Sequence, residues 1–216
     1  FQPLTLKSSK KDMEGNEKFI FETFDGHLIE TVLMPHKKNI SVCVSVQAGC
    51  KFNCTFCQTG KIGFKRNLHC HEILDQIRQI YILRVMPERL SCISFMGMGE
   101  PFDNLAGTMS ALDWISSTFG WQISRRKITF STSGCLDFGE FFSYDKLPNL
   151  AVSLHFADEN MRIKYMPKAK VSLMKLKKNL IEYFMREKNQ VSIEYCLLKG
   201  INDSEDDAKK LSEYLK

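Results

Sequence analysis

The stretch Gly49-Cys50-Lys51-Phe52-Asn53-Cys54-Thr55-Phe56-Cys57 places three cysteines at C-x3-C-x2-C spacing. Three thiolates on one short loop can hold three irons of a four-iron cluster, whereas clusters that only carry electrons usually have four cysteine ligands. The fourth iron would therefore be open to a substrate or a cofactor. The motif predicts an iron–sulfur site with one open position.

Zinc is the main alternative for these cysteines. Cys54-x2-Cys57 is followed by the run His69-Cys70-His71, and twelve residues separate Cys57 from Cys70, as in a zinc ribbon. However, Cys50 would then be surplus, and Cys70 is predicted to begin an amphipathic helix rather than to close a metal-binding turn. A disulfide framework is disfavoured because the chain is large and rich in core residues.

Composition indicates one globular domain in a reducing compartment. The chain has 216 residues, of which 44% are hydrophobic, and this is enough for a substantial core. Eight cysteines, three of them at cluster spacing, favour a cytoplasmic location, where thiolates survive as ligands. The start, Phe1-Gln2-Pro3-Leu4, has no initiator Met and no apolar signal region, and we expect a piece of a longer protein. The net charge of +5 suits a polyanionic partner.

The rest of the sequence predicts a hairpin followed by alternating strands and helices. Residues 7–16 are polar and predict a lead-in loop, and two alternating segments, 18–23 and 27–34, flank the turn signal Asp25-Gly26. A β-rich run, 39–47, leads into the cysteine loop. The remaining predicted strands are 92–96, 127–131, 150–155 and 191–198, and the predicted helices are 70–85, 105–119, a short one near 138–144, 172–186 and 204–215 with Ser204 as N-cap.

This order predicts an α/β fold, a partial (βα)6-type barrel of about five βα units after a β-hairpin extension. We expect residues 1–38 to form the lead-in and hairpin, and residues 39–216 to form the partial barrel without its last strand and C-terminal segment. Functional residues in such folds lie at the carboxyl ends of the strands. The candidate motifs fall there, at residues 50–57, 97–101, 131–134 and 153–155.

Six runs of the sequence carry a family resemblance. They are Cys43-Val44-Ser45-Val46-Gln47-Ala48-Gly49-Cys50, Gly60-Lys61-Ile62-Gly63-Phe64-Lys65-Arg66-Asn67-Leu68, Met96-Gly97-Met98-Gly99-Glu100-Pro101, Ser131-Thr132-Ser133-Gly134, Ser153-Leu154-His155 and Ile193-Glu194-Tyr195. These runs resemble one radical S-adenosylmethionine (SAM) family, the RlmN/Cfr-like RNA adenine methyltransferases. The family methylates carbon 2 of an adenine in 23S ribosomal RNA and of an adenine in some transfer RNAs, and close relatives methylate carbon 8. The resemblance implies a radical-SAM barrel and an RNA substrate.

The resemblance also implies the cofactors and their ligands. Cys50, Cys54 and Cys57 would ligate a 4Fe–4S cluster whose open iron binds SAM, and one electron would cleave SAM to a 5′-deoxyadenosyl radical. An electron donor such as flavodoxin or ferredoxin would supply that electron. The residues that would contact SAM are Gly99, Glu100, Ser131, Ser153, Leu154 and His155.

Two further residues would act on the RNA. In the family, a C-terminal cysteine is methylated, its methyl group loses a hydrogen to the radical, and the resulting methylene radical adds to the adenine. The residue that matches Cys43 then resolves the adduct by forming a disulfide. Glu30 matches an acid that would accept the ring proton, although the sequence alone would place it on a solvated strand face.

The sequence also departs from the family. The methyl-carrying cysteine, the last SAM-binding asparagine and the small N-terminal RNA-contacting domain have no counterpart. Cys135 follows a turn and Cys196 is predicted within a strand, so neither matches the missing cysteine, and Cys92 is predicted in the core. We therefore expect this chain, as a monomer without a membrane partner, to bind a cluster and SAM but to be inactive alone. A carbon 8 methyltransferase and a non-catalytic iron–sulfur or zinc-binding module are the alternatives.

Overall fold

The computed structural model describes residues 2–36, 39–84 and 89–216, without the side chain of Arg89. The helices are α1 (Gln58–Ile62), α2 (Cys70–Leu83), α3 (Leu105–Ser116), α4 (Glu159–Tyr165), α5 (Leu173–Glu187) and α6 (Glu205–Leu215). The strands are β1 (Thr5–Lys11), β2 (Glu17–Glu22), β3 (Leu28–Pro35), β4 (Asn39–Cys43), β5 (Gln47–Ala48), β6 (Arg66–Asn67), β7 (Arg89–Phe95), β8 (Ile128–Thr132), β9 (Asn149–Ser153) and β10 (Val191–Glu194).

One mixed sheet organises this part of the chain. Its strand order is β1-β2-β3-β4-β7-β8-β9-β10, and β5 pairs separately with β6. Strands β1 to β4 pair antiparallel, whereas β4, β7, β8, β9 and β10 run parallel. The predicted α/β class, with a hairpin extension before five parallel strands, is confirmed.

The two faces of the parallel strands differ in polarity. Alternate residues such as Val42, Phe95 and Phe130 are buried in the main core beneath the helices. The residues between them, such as Cys43 and Ser131, are only partly buried. Because side chains alternate across a strand, the sheet presents an apolar face to the helices and a more polar, accessible face on its other side.

Several predicted elements differ from the structure. The predicted loop 7–16 is wrong over its first half, because Thr5–Lys11 forms β1 at the sheet edge, where mostly exposed polar residues give no hydrophobic signal. The predicted strand 191–198 ends at Glu194. The short helices α1 and α4 and the pair β5–β6 have too few residues to show a periodic pattern. Residues 37, 38 and 85 lie outside the described residues, and with them the predicted boundary at 38 and the predicted end of α2.

Ser204 is the N-cap of α6, and its hydroxyl accepts a hydrogen bond from the Asp207 amide, as predicted. None of the described helices combines the length and apolar character needed to span a membrane.

Arg66 joins the hairpin turn to the base of α2. Its Nε donates to Asp25 Oδ2 at 2.6 Å, and its Nη1 donates to Glu72 Oε2 at 2.7 Å. Hydrogen bonds from Arg66 hold the pKa of Asp25 well below its usual range. Burial raises the pKa of Glu72, but the hydrogen bonds from Arg66 and from the His69 amide, together with the charge of Arg66, outweigh burial and the pKa is lowered. Arg66 therefore binds two carboxylates within the fold and is not free to contact phosphate, although it belongs to a basic run of the sequence.

Replacing Arg66 with methionine should destabilise the fold in a pH-dependent way. At neutral pH the loss should be about 3 kcal/mol, because Glu72 would be left buried without its partner. Both carboxyl pKa values are lowered on folding, so this stabilisation is complete above the unfolded pKa values of about 4 and is lost as pH falls below them. Urea denaturation at about pH 7 and at about pH 2.5 should show the difference between wild type and variant shrinking at the lower pH. A pH-independent difference would contradict this account, and Arg126→Met serves as the exposed control.

Candidate active site

The cysteine loop lies between β5 and α1 and is fixed by backbone contacts. The amide of Thr55 donates to the Tyr165 carbonyl at 2.9 Å, which ties the loop to the end of α4. The amide of Cys57 donates to the Cys54 carbonyl at 3.0 Å, and Asn53 has a positive φ of 53°. Asn tolerates this left-handed conformation better than most residues, so the local sequence suits a tight loop that turns its cysteines inward.

The three cysteines line one cavity with most of the predicted SAM contacts. Five of those contacts, Gly99, Glu100, Ser131, Ser153 and His155, border the same cavity as Cys50, Cys54 and Cys57. They come from the carboxyl ends of β7, β8 and β9 and from the loops that follow. Leu154 is fully buried behind this lining. The cavity therefore gathers side chains that are up to about a hundred positions apart, as the fold rule for parallel strands predicts.

The cysteine geometry suits a cluster better than a single ion. Among the residues that the structure describes, no three His, Cys, Asp or Glu side chains are arranged to hold one metal ion. Three thiolates that each bind a different iron need no such common point. The zinc alternative would need Cys70 and His71 beside Cys54 and Cys57, but Cys70 begins α2 and His71 borders a different groove. The donor set therefore fits an iron–sulfur cluster.

Burial favours the protonated thiols of Cys50 and Cys54 by raising their pKa values. It raises the pKa of Cys50 to about 11 and that of Cys54 to about 12. Metal ligation deprotonates thiols, so binding releases protons and depends on pH. Loading of this loop should therefore be favoured by mildly alkaline conditions.

Glu100 is a buried acid at the end of β7. Its Oε2 accepts hydrogen bonds from the Ser133 amide at 2.8 Å and from the Ser133 hydroxyl at 2.7 Å. Burial raises its pKa, and the bonds from Ser133 oppose this effect. A bound ammonium group would favour the ionised carboxylate, since an opposite charge lowers a carboxyl pKa.

His155 is held as a neutral hydrogen-bond donor. Burial lowers its pKa to about 4 and Arg162 adds to this effect. Its Nδ1 lies 3.1 Å from the Cys196 amide nitrogen and accepts that hydrogen bond, so Nε2 carries the proton. The residue has a positive φ of 56°, and its ring packs edge-on against Phe56 with centroids 5.0 Å apart. Backbone strain at a cavity residue fits a positional role.

Cys43 and Glu30 lie outside the residues that line this cavity. Cys43 pairs with Val32 at the end of β4, and desolvation raises the pKa of its thiol. Glu30 lies two residues from Val32, so its side chain shares a sheet face with that of Cys43. The Glu30 carboxylate binds Lys18 at 3.2 Å, and its side chain is 43% exposed. The structure thus places both residues on the accessible face of the sheet.

Sequence reasoning missed several residues that support the cavity. Ser133 donates two hydrogen bonds to Glu100. It lies in the motif Ser131-Thr132-Ser133-Gly134, and this place in the motif is the sequence signal that could have identified it. Gln47 accepts the Glu100 amide at 3.0 Å. Asn202 donates a hydrogen bond to the His155 carbonyl at 2.8 Å, although the two residues are 47 positions apart in the sequence. Only the fold brings them together. Two cysteine predictions are wrong: Cys92 is exposed rather than in the core, because it lies on the accessible sheet face, and Cys196 lies beyond the end of β10.

Replacing Gly49 with alanine should disrupt the cysteine loop. Gly49 has a φ of 76°, and a Cβ here would lie 1.8 Å from the Gly63 carbonyl oxygen. We expect a loss of about 2 to 4 kcal/mol in the free energy of unfolding, together with reduced iron uptake. Gly26→Ala is the matched control, because Gly26 has a φ of 82° but no atom within 4 Å of the added carbon. That control should lose only about 1 kcal/mol, and equal losses would contradict the clash.

Comparisons with known proteins agree with this geometry. Residues 44–211 match the model of the radical SAM superfamily. The dual-specificity RNA methyltransferase RlmN of Syntrophobacter fumaroxidans is 40% identical over 97% of this chain and 61% of its own length. The probable dual-specificity RNA methyltransferase RlmN of Bacillus licheniformis is 40% identical over 98% of this chain and 60% of its own length.

A solved structure shows the same likeness. A radical SAM methyltransferase from Sphaerobacter thermophilus superposes with a TM-score of 0.93 at 35% identity and covers 100% of this chain, which spans 64% of that structure. The chain thus spans about three fifths of the length of the curated relatives it matches. The match to the family model covers more than half of the sequence and includes the cysteine loop and its cavity. The chain therefore belongs to the radical SAM superfamily.

Proposed function

We propose that this chain is the cofactor-binding part of an enzyme that methylates carbon 2 of an adenine in 23S ribosomal RNA and in transfer RNA through a methylcysteine intermediate. The observation that carries the proposal is the cavity in which Cys50, Cys54 and Cys57 meet Glu100 and the strand-end serines. Relatives named as dual-specificity RNA methyltransferases, at 40% identity over nearly the whole chain, support RNA as the substrate.

Membership of the superfamily implies SAM and an iron–sulfur cluster as cofactors. Cys50, Cys54 and Cys57 would hold the cluster as a 4Fe–4S centre. When bound, the cluster supplies the electron that cleaves SAM to methionine and a 5′-deoxyadenosyl radical. Two of these thiols are partly buried, and desolvation raises their pKa values. This fits residues that become thiolates only as ligands.

The other cavity residues would orient SAM. Glu100 presents a carboxylate that can receive an ammonium group, and Ser133 fixes its direction through two hydrogen bonds. Ser131 and Ser153 offer hydroxyl groups, and Gly99 allows the backbone to approach the ligand closely. The Nε2–H of His155 is an additional donor. All of these groups border one cavity, so a single ligand can contact them together.

Cys43 and Glu30 would serve the later, RNA-directed chemistry. Cys43 would provide the thiol that forms a disulfide with the methyl-carrying cysteine. Glu30 would accept the proton that leaves carbon 2 of the adenine, but it must first be released from Lys18. A carboxylate that is half exposed can change its partner at low cost, because exposed ion pairs contribute little free energy.

Deleting the gene in its host tests the proposed substrate and position. Nucleosides from digested ribosomal and transfer RNA would be separated by chromatography and identified by mass spectrometry. We expect 2-methyladenosine to disappear and to return when the gene is restored. Loss of 8-methyladenosine instead would assign the carbon 8 reaction, and unchanged methyladenosines would contradict an RNA methyltransferase.

The basic residues near the cavity make a sharper prediction for RNA binding. Lys61 and Lys65 are exposed and follow the last cysteine, whereas Arg126 and Lys127, which are also exposed, precede β8 and so lie at the opposite strand end. If the first pair contacts phosphates, Lys61→Ala/Lys65→Ala should reduce the slope of log Kd against log salt by about 1.4 for single-stranded RNA. The matched Arg126→Ala/Lys127→Ala variant should leave the slope unchanged. Equal effects would mean non-specific attraction.

A further inference from the structure

Arg162 is a fully buried arginine directly behind the candidate cavity. It lies on α4 with 0% exposure. Its Nη1 donates to the Leu154 carbonyl at 2.8 Å, and its Nη2 donates to the Ser133 carbonyl at 2.6 Å. These carbonyls follow the carboxyl ends of β9 and β8. One guanidinium therefore joins the two strand ends whose neighbouring residues line the cavity.

The positive charge of Arg162 has no anionic partner in the described part of the chain. The ion pairs found among residues 2–36, 39–84 and 89–216 involve other cations. Its Nε is buried and has no hydrogen-bond partner there. Arginine is almost never fully buried unless it is paired, because an isolated buried charge is costly. This arrangement calls for a negative charge close by in the working protein.

The cavity is the place where such a charge would arise. A 4Fe–4S centre with three thiolate ligands carries a net charge of about −1, and about −2 after it gains one electron. Arg162 lies close to this region: burial and then the charge of Arg162 lower the pKa of His155, and a Cβ on Gly134, the residue before Cys135, would lie 3.4 Å from Arg162 Nη2. Cys135 packs in one apolar cluster with Cys50 and Cys54.

The helix that carries Arg162 also anchors the cysteine loop. The Tyr165 carbonyl at the end of α4 accepts the Thr55 amide at 2.9 Å. Met166, the next residue, lines the cavity, and its sulfur lies 3.6 Å from Arg162 Nη1. The cation is thus fixed relative to both the loop and the strand ends.

We propose that Arg162 is a positioning residue that also acts as the fixed cation of the cluster site, favouring uptake of one electron by the cluster. The inference rests on the proposed cluster at Cys50, Cys54 and Cys57. In the reaction concerned, one electron passes from an external reductant to the cluster, and no bond forms or breaks. A buried cation stabilises the more negative product and so raises the reduction potential, since net charge is one determinant of cluster potentials.

The test is an anaerobic redox titration with dithionite and mediators, followed by EPR, on variants with matched iron content. Arg162→Gln removes the charge but keeps hydrogen-bond donors, and Arg162→Lys keeps the charge on a different donor group. Arg126→Met removes the same charge from the opposite end of β8. We expect the equilibrium constant for reduction to fall at least tenfold in Arg162→Gln, a shift of about 59 mV for one electron. It should stay within threefold of wild type in Arg162→Lys and Arg126→Met.

Each of the other possible results contradicts a specific part of the proposal. An unchanged potential in Arg162→Gln, with folding and iron content intact, would refute the electrostatic role. Equal losses in the Gln and Lys variants would assign the effect to hydrogen bonding instead. If Arg162→Gln does not fold whereas Arg162→Lys does, circular dichroism of the apo proteins will show it, and a structural role will replace the proposal. Failure of the wild-type chain to form any cluster would defeat the proposed function itself.

Discussion

Replacing Cys50 with serine should abolish cluster assembly. A serine hydroxyl does not ionise at neutral pH as a metal-bound thiol does, so the loop would retain only two ligands for a centre that needs at least three here. After anaerobic reconstitution with iron and sulfide, the variant should bind less than about a tenth of the wild-type iron. Its visible absorption should disappear in parallel.

The choice of Cys50 separates the cluster from the zinc alternative. In a zinc ribbon built from Cys54, Cys57 and the run His69-Cys70-His71, Cys50 is surplus, and its loss would leave metal content unchanged. Cys70→Ser is the matched control, because Cys70 begins α2 and does not line the cavity. It should keep its full iron content, and a loss of metal in Cys70→Ser with none in Cys50→Ser would reverse the assignment.

Replacing Glu100 with glutamine should weaken SAM binding without unfolding the protein. The amide oxygen can take the place of Oε2 and accept both bonds from Ser133, but the carboxylate charge that would face an ammonium group is lost. A hydrogen bond to a charged group contributes about 1.5 to 3 kcal/mol, so the Kd of SAM should rise about 10- to 150-fold. Isothermal titration of the reconstituted protein measures this directly.

A folding control accompanies that experiment. Glu140→Gln removes the same charge from an exposed position in the loop after β8 and should leave the Kd unchanged. The free energy of unfolding of Glu100→Gln should stay within about 1 kcal/mol of wild type, since the buried acid already carries a raised pKa. An unaltered affinity for SAM in a folded variant would remove Glu100 from the proposed binding site.

The sequence predicted those features that depend on local pattern or on a general fold rule. The cysteine spacing indicated a ligand loop, and alternating strands and helices indicated a parallel sheet whose strand ends lie together. From these, Cys54 could be expected to lie near Glu100, Ser131 and Ser153. It follows because parallel strands all present their carboxyl ends at one edge.

What the sequence could not predict depends on long-range packing. Arg162 lies in a polar segment without a recognisable motif. Only the fold shows that its guanidinium donates hydrogen bonds at the ends of two strands. The sequence predicts residues 7–11 of β1 as part of a loop, because edge strands are stabilised by pairing rather than by a buried face. Arg66 belongs to a basic run, yet Asp25, which is 41 positions away, neutralises it. The sequence shows which residues are charged, but not which distant residue pairs with each of them.

EPR of the reduced, anaerobically reconstituted protein, recorded with and without SAM, tests the central claim most directly. That claim is that Cys50, Cys54 and Cys57 hold a four-iron cluster with one iron open to SAM. The account predicts a four-iron signal whose g-values shift when SAM is added. No four-iron signal, or a signal that SAM leaves unchanged, would contradict it.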